Sequence, residues 1–469
     1  MLTLGHILEA LTHQRFDYLR QPIPETVVDS RLAIPGSLFV ALPGERQDGH
    51  DFVGDAFRRG AQLALIQRAI EIEFPILDLR SLPVVQEIPQ PPLCLLVEDS
   101  LKALQETARF WRRKLPVRVI GITGSVGKST AKELIAEVLS RRYVTLKSPG
   151  NFNNEIGLPL SILRLSESHQ RAVLEMGFYV IGEIAFLCDI ALPYIGVVTN
   201  VGTVHAERAG SQEAIAQGKS ELVQALPPEG FAILNFDDPY VREMAKKTRA
   251  RVFFYGLDPQ ADLWADEIRS HGLEGISFRV HYRNESLYLR LPILGRHSVQ
   301  TALRAIAVGL VDNLTWQEIV EGLRSTPTQL RLTVVRTEQG ALILDDSYNA
   351  APESTLAALN LLADLDGHRI AVLGDMLELG IYEAQGHELV GRRAAEVAHR
   401  LITVGERGKL IAAAARRAGM PAALIDEVKD ALDVIPLLKE ELGESDIVLV
   451  KGSRAMRMDR IVSALEMQE

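Results

Sequence analysis

Residues 117–139 read VRVIGITGSVGKSTAKELIAEVL, and the fold turns on the change of period inside this stretch. Val117, Val119, Ile120 and Ile122 make a near-continuous apolar run, the pattern of a parallel strand covered on both faces. Leu134, Ile135, Val138 and Leu139 then recur at helical spacing, so strand gives way to helix across Gly124-Ser125-Val126-Gly127-Lys128-Ser129. That layout predicts a phosphate-binding loop. Glycines let backbone N–H groups turn towards phosphate oxygens, a helix N-terminus adds partial positive charge, a lysine reaches the outer phosphates, and a hydroxyl suits magnesium. The loop reads GxxGKS; Ile122 stands where the longer GxxxxGK[ST] pattern has its first glycine, and Gly121 lies one place earlier. Nucleotide binding is therefore assigned to Gly124, Ser125, Gly127, Lys128 and Ser129, with Lys128 on the β- and γ-phosphates and Ser129 on Mg²⁺. Thr130 is the neighbouring hydroxyl, in the first turn of the helix.

At 469 residues the chain is too long for one core and predicts about three domains. With 24% charged and 47% hydrophobic residues its composition is that of an ordinary globular protein. A net charge of −10 argues against a general nucleic-acid binder, while leaving room for one locally positive loop that takes a small anion. Cys94 and Cys188 are too few for a disulfide framework or a conventional zinc site and are expected to be small buried apolar residues. The opening MLTLGHILEALTHQRF lacks the basic, apolar and small-residue segments of a secretory signal, and no apolar stretch is long enough to span a bilayer. The expectation is a cytoplasmic protein without a membrane span.

Taken in order, residues 1–97 predict a small α/β unit with strands at Leu38–Leu42 and Ala64–Ile66 and a short helix over Phe52–Gly60. Three prolines in the Glu87–Pro92 stretch mark an extended connection. Residues 98–325 alternate strand and helix, the signature of a mostly parallel sheet. Further strands are expected at Ala172–Gly177 and Ile195–Asn200, the first carrying Glu175 near its end and the second leading to His205. Because ligands in open α/β sheets sit beyond the carboxyl ends of strands, Glu175, His205, Lys128 and Ser129 together predict a metal-nucleotide site. Lys219 follows on a helix, where composition alone reads it as solvated surface. Alternating runs at Ile276–Tyr282 and Ser286–Leu291 predict an antiparallel hairpin, followed by a helix over Val299–Leu310. Residues 326–469 form a second α/β unit with strands at Ala341–Leu344, Ile370–Leu373, Leu401–Val404 and Ile447–Val450, whose polar ends make a second ligand face.

These motifs resemble the Mur ligase superfamily nearly end to end. The resemblance is carried by Asp29-Ser30-Arg31, PGSLFVALPGE and DGHDFV in the first part and by GITGSVGKST, GNFNNEIGLPLSILRL, EMG and NVGTVHAER in the centre. DDSYNAAPES, VLGDMLELG and VLVKGSR carry it in the last part. It implies a UDP-substrate-binding domain over 1–97, an ATP-binding domain over 98–325 and a Rossmann-like ligase domain over 326–469. The implied reaction is ATP-dependent joining of D-alanyl-D-alanine to UDP-N-acetylmuramoyl-tripeptide by way of an acyl phosphate, in a monomeric cytoplasmic enzyme of peptidoglycan precursor synthesis. The DNPR motif of the branch that adds a diamino acid is absent. Other amide ligases of the superfamily and a non-catalytic, nucleotide-gated binding protein are the alternatives.

Position by position, the resemblance puts Glu175 and His205 on magnesium and makes Lys219 an N-carboxylated ligand bridging a second ion. It makes Lys128, His205 and Lys219 the catalytic group. Arg331 and Asp346 handle the nucleotide from the last domain, Ser30, Arg31, Asn151, Asn153 and Asn154 contact the UDP substrate, and Asn349 lines the side of the incoming dipeptide. The chain departs from the family at GxHNxxN, here Gly295-Arg296-His297-Ser298-Val299-Gln300-Thr301, and at NANP, here Asn349-Ala350-Ala351-Pro352. It departs again after EMG, where Phe178-Tyr179-Val180-Ile181 replaces a common Asn-His pair.

Overall fold

The strand at the head of the quoted stretch spans Arg118–Thr123 and lies inside a nine-stranded sheet of the computed structural model. The structure describes residues 1–469 apart from 45–46, 82–86, 204–205, 326–331, 440 and 468–469. Arg118–Thr123 is flanked in parallel by Arg171–Glu175 on one side and Pro193–Val198 on the other. Thr145–Lys147 continues the first side, and Phe231–Asn235 and Arg251–Gly256 continue the second. The expected hairpin, Ile276–Tyr282 with Glu285–Leu291, closes the far edge in antiparallel register through Leu263–Ser270.

Alternate residues of these strands feed two different cores, which is why the strands read as unbroken apolar runs. Ile120, Ile122, Val173 and Val197 pack with the helices Lys128–Leu139, Ser298–Val311 and Trp316–Ser325. Val119, Ala172 and Leu174 pack with Gly157–Leu163, Glu183–Ala191 and Gln212–Gln224 on the other face. At the amino ends of the strands, fully buried Asp312 pairs with Arg118 and Arg171, so the polar first residues of two strands are satisfied. The order of strands reverses around Arg118–Thr123, and the carboxyl ends there open the crevice in which such sheets hold ligands.

A five-stranded, wholly parallel sheet precedes this one, in the order Thr26–Val27, Leu38–Val40, Leu63–Ile66, Leu93–Leu96, Ile76–Asp78. The single helix expected over Phe52–Gly60 is instead a 3₁₀ turn, Gly49–Phe52, followed by a short helix, Val53–Arg58. Asp48 sets the turn, its carboxylate accepting from the His50 backbone N–H, so the helical conformation begins earlier than the apolar pattern implies. The helix Ser100–Lys114 packs between the first sheet and the second, and both contribute to one continuous core.

The last sheet has six strands in the order Thr333–Arg336, Leu342–Asp346, Asp446–Lys451, His368–Gly374, Arg400–Val404, Ile425–Val428, antiparallel at the first pair and parallel thereafter. Both cysteines are buried, as expected, and burial pushes the Cys94 thiol up to about 12. Among the described residues no helix is long and apolar enough to cross a membrane.

Candidate active site

The phosphate loop is shaped by two glycines and by the end of a neighbouring strand. Gly124 has φ +144°, and a Cβ there would meet Thr199 Oγ1 at 1.8 Å, so only glycine fits. Gly127 has φ +84° and is the N-cap of the helix Lys128–Leu139. Thr199 and Asn200, just past Pro193–Val198, hold the loop's outer turn: Thr199 Oγ1 donates to the Val126 carbonyl at 2.8 Å, and the Val126 N–H donates to Asn200 Oδ1 at 2.9 Å. The Ser125 hydroxyl accepts from the Gly202 N–H at 2.8 Å. Lys128 folds over its own loop, its ammonium donating to the Gly124 carbonyl at 2.8 Å and the Ser125 carbonyl at 3.3 Å. The cation is thus held on its own loop, while the Ser125 N–H is turned to the Asn200 carbonyl at 3.0 Å.

Glu175 ends the adjacent strand and is buried at the foot of this loop. Ser129 Oγ donates to its Oε2 at 2.6 Å and Asn153 Nδ2 to its Oε1 at 2.9 Å. Burial pushes the carboxyl upward, but Lys128, the bonds from Ser129 and Asn153, and Lys132 together outweigh it and hold the group below the usual glutamate range. Lys132, one helical turn after Lys128 and 1% exposed, donates to the Gly150 carbonyl at 2.8 Å and so ties down the segment that carries Asn153.

Lys219 is buried too, at 1% exposure, with its ammonium 4.9 Å from the centre of the Phe178 ring. Its surface reading from composition is corrected: the helix Gln212–Gln224 presents this face to the sheet. Burial, with the Lys128 charge second, pulls its pKa well below the ordinary lysine value.

The last domain supplies the facing wall. Asp346, Asn349 and Lys451 border one cleft together with Gly127, Thr130 and Ser298. Lys451 Nζ donates to Asp346 Oδ2 at 2.6 Å and to the Asn349 carbonyl at 2.9 Å. Glu353 reaches across to the central sheet and accepts from the Thr203 N–H at 3.3 Å. Of the two positions where the family pattern has asparagine, the Ser298 hydroxyl donates to the Leu294 carbonyl at 2.6 Å and the Thr301 hydroxyl accepts from Arg304 at 3.3 Å.

The remaining expected residues separate. Asn151 is exposed, and Asn154 is turned to its own backbone, accepting from the Gly157 N–H at 2.9 Å, so Asn153 alone of the three reaches Glu175. Ser30 donates to Asp55 at 2.9 Å, and Arg31 is doubly bonded to Asp29, in the first domain. His205 and Arg331 lie outside the described residues. Sequence reasoning did not find Thr199, Lys132, Arg304 or Glu353; each is an ordinary polar residue by spacing, and only packing between distant segments brings it to the site.

Among the described residues no group of three or more His, Cys, Asp and Glu gathers to hold a metal. The hard oxygen pair that does gather, the Glu175 carboxylate and the Ser129 hydroxyl beside a phosphate loop, suits magnesium, which takes one or two carboxylates and completes its shell with phosphate and water.

Family profiles match in three consecutive stretches: the Mur ligase family catalytic domain over residues 25–112, the Mur ligase middle domain over 122–309, and the Mur ligase glutamate ligase domain over 330–454. The chain is 35% identical over 455 residues to the UDP-N-acetylmuramoyl-tripeptide--D-alanyl-D-alanine ligase of Bacillus subtilis, covering 96% of this chain and 94% of that one. The crystal structure of MurF from Acinetobacter baumannii superposes with a TM-score of 0.83 at 30% identity over 98% of both chains. MurF ligase from Thermotoga maritima in complex with ADP gives 0.77 at 28% identity, covering 94% of this chain and 96% of that one.

Proposed function

This chain belongs to the Mur ligase family, and we propose that it uses ATP to join D-alanyl-D-alanine to UDP-N-acetylmuramoyl-tripeptide, a step of peptidoglycan precursor synthesis. The observation that carries the reading is full-length similarity to ligases of that activity in a chain whose phosphate loop and facing Asp346–Lys451 pair border one cleft, with buried Glu175 bonded to Ser129 at the start of the loop's helix. We assign UDP binding to residues 1–97, ATP binding to 98–325 and dipeptide handling to 326–469, in a monomer acting in the cytoplasm. Ser30 and Arg31 contact the UDP moiety; Asn151, Asn153 and Asn154 lie on the tripeptide's path, and Asn349 lies on that of the dipeptide.

The chemistry follows from the weakness of a carboxylate as an acyl donor, since its leaving group would be oxide. An oxygen of the tripeptide carboxylate attacks the γ-phosphorus of ATP and ADP departs, leaving a mixed anhydride. The dipeptide amine then attacks the acyl carbon, a tetrahedral intermediate collapses with loss of phosphate, and the nitrogen gives up a proton. Lys128 exchanges its two loop carbonyls for the β- and γ-phosphates, and the N–H groups of Gly124, Gly127 and Thr130 donate to phosphate oxygens, while Ser125, whose N–H donates to the Asn200 carbonyl at 3.0 Å, shapes the turn. Arg331 and Asp346 act on the nucleotide from the last domain. Ser129, Glu175 and His205 would hold magnesium, with Lys219 bridging a second ion. When bound, those ions offset the negative charge that accumulates between triphosphate and carboxylate. Burial favours a neutral Lys219, the form whose nitrogen adds to the carbon of CO₂, releasing a proton and leaving a carbamate.

Phosphate release tests the assignment. It should require ATP, UDP-N-acetylmuramoyl-tripeptide and D-alanyl-D-alanine together; release with glutamate or a diamino acid in place of the dipeptide would overturn it.

A further inference from the structure

Arg304 lies on the helix Ser298–Val311 beneath the phosphate loop, 4% exposed. An arginine keeps its charge in any protein environment, and a buried charge needs compensation. Here the partners are two hydroxyls: Nε donates to the Tyr255 hydroxyl at 2.6 Å and Nη1 to Thr301 Oγ1 at 3.3 Å. Among the described residues no carboxylate stands within ion-pair reach of the guanidinium. Its Nη1 lies 3.2 Å from where a Cβ on Gly127 would stand, against the turn that opens the helix Lys128–Leu139. The orientation is fixed rather than incidental. Tyr255 is fully buried and its hydroxyl is 3.4 Å from the carbonyls of both Val198 and Thr199, the strand end that also holds the loop.

We propose that Arg304 is the fixed cation of the nucleotide site, a positioning residue whose uncompensated charge acts through the phosphate loop on the polyphosphate of a nucleoside triphosphate. Lys128 is bonded to two loop carbonyls and must leave them to meet the phosphates; Arg304 is already in place, so its field requires no rearrangement when the nucleotide arrives. The same charge burdens the empty protein. Binding strength and stability of the free protein therefore pull in opposite directions at this position, which a merely structural arginine would not produce. The inference rests on the reading of the loop as an ATP site.

The test uses the full chain, with Arg304→Met and Arg304→Lys, melting curves with and without MgATP, and calorimetric Kd over a range of KCl. Arg304→Met should melt at or above the wild-type temperature without nucleotide, bind MgATP at least tenfold more weakly, and show a shallower dependence of log Kd on log salt. Arg304→Lys should recover most of the affinity. The proposal is overturned if Arg304→Met binds MgATP within twofold of wild type, or weakens only in step with a lower melting temperature. If wild type itself is not stabilised by MgATP, the ATP reading fails and this inference fails with it.

Discussion

Replacing Lys132 by methionine isolates one link between the phosphate-loop helix and Glu175. Methionine keeps an unbranched stem of similar length, so the packing of a side chain that is 1% exposed changes little. What is lost is a charge-assisted hydrogen bond of 2.8 Å to the Gly150 carbonyl, worth about 1.5–3 kcal/mol, together with a 3.3 Å ion pair to Glu133 and the smallest of the contributions that lower the Glu175 carboxyl. Gly150 is exposed, so its carbonyl passes to water and no buried acceptor is stranded. The loss falls on the segment leading to Asn153, which is held otherwise by its bond to Glu175 and by the Gly177 N–H on its carbonyl at 2.7 Å. If all that energy goes into loosening this segment, the ratio of molecules with Glu175 correctly oriented to those without falls by roughly 10- to 150-fold, and kcat falls in step once the misoriented form predominates. Steady-state phosphate release should show kcat reduced about tenfold or more and a raised magnesium requirement. KM for D-alanyl-D-alanine should stay unchanged, because Asn349 and the last sheet are untouched. A Lys132→Met enzyme with wild-type kcat and magnesium requirement would refute the reasoning, as would a loss of rate matched by collapse of the melting temperature.

If Lys219 carries the proposed carbamate, Lys219→Ala should reduce phosphate release by at least a hundredfold and be partly restored by formate or acetate, which would supply a carboxylate in its place; rate measurements at rising acid concentration check this, and absence of rescue would favour a plain buried lysine. For Glu175 the sign is set by its depressed pKa. Its contribution to stability is full above the unfolded value of about 4.3 and is lost only as pH falls through the lower folded value. The gap in urea midpoint between wild type and Glu175→Gln should therefore hold constant from pH 7 to 5 and close below about pH 4; closure already near pH 6 would contradict the assigned direction.

How much of this was legible in the sequence depended on whether the information was local. The phosphate loop was readable because strand, turn, lysine and hydroxyl follow one another without interruption, and the backbone geometry they require is set by Gly124 and Gly127 themselves. The hairpin Ile276–Tyr282 with Glu285–Leu291 was readable for the same reason, alternation on both sides of a short turn. Glu175 could be placed at a strand end and grouped with Ser129, because ligands collect beyond such ends, but their direct hydrogen bond could not be read, since the pairing of Arg118–Thr123 with Arg171–Glu175 joins segments about fifty residues apart.

Lysines and arginines on helices are the hard case. Lys132, Lys219 and Arg304 each sit on a helix whose opposite face is also partly apolar, and local pattern assigns long cations to solvent by default. Each is buried because a different element closes over it: the Gly150 turn over Lys132, the Phe178 ring over Lys219, the Gly127 turn over Arg304. Lys132 and Arg304 stand with Lys128 around the phosphate loop, where the fields of Lys128 and Lys132 lower the Glu175 carboxyl and the field of Lys128 helps burial keep the Lys219 amine neutral. A protein whose net charge is −10 thus concentrates buried positive charge at one point, where an anion with several negative charges is the partner that would relieve it. It is this accumulation, more than the glycine pattern, that separates a loop built for triphosphate from an ordinary turn between strand and helix.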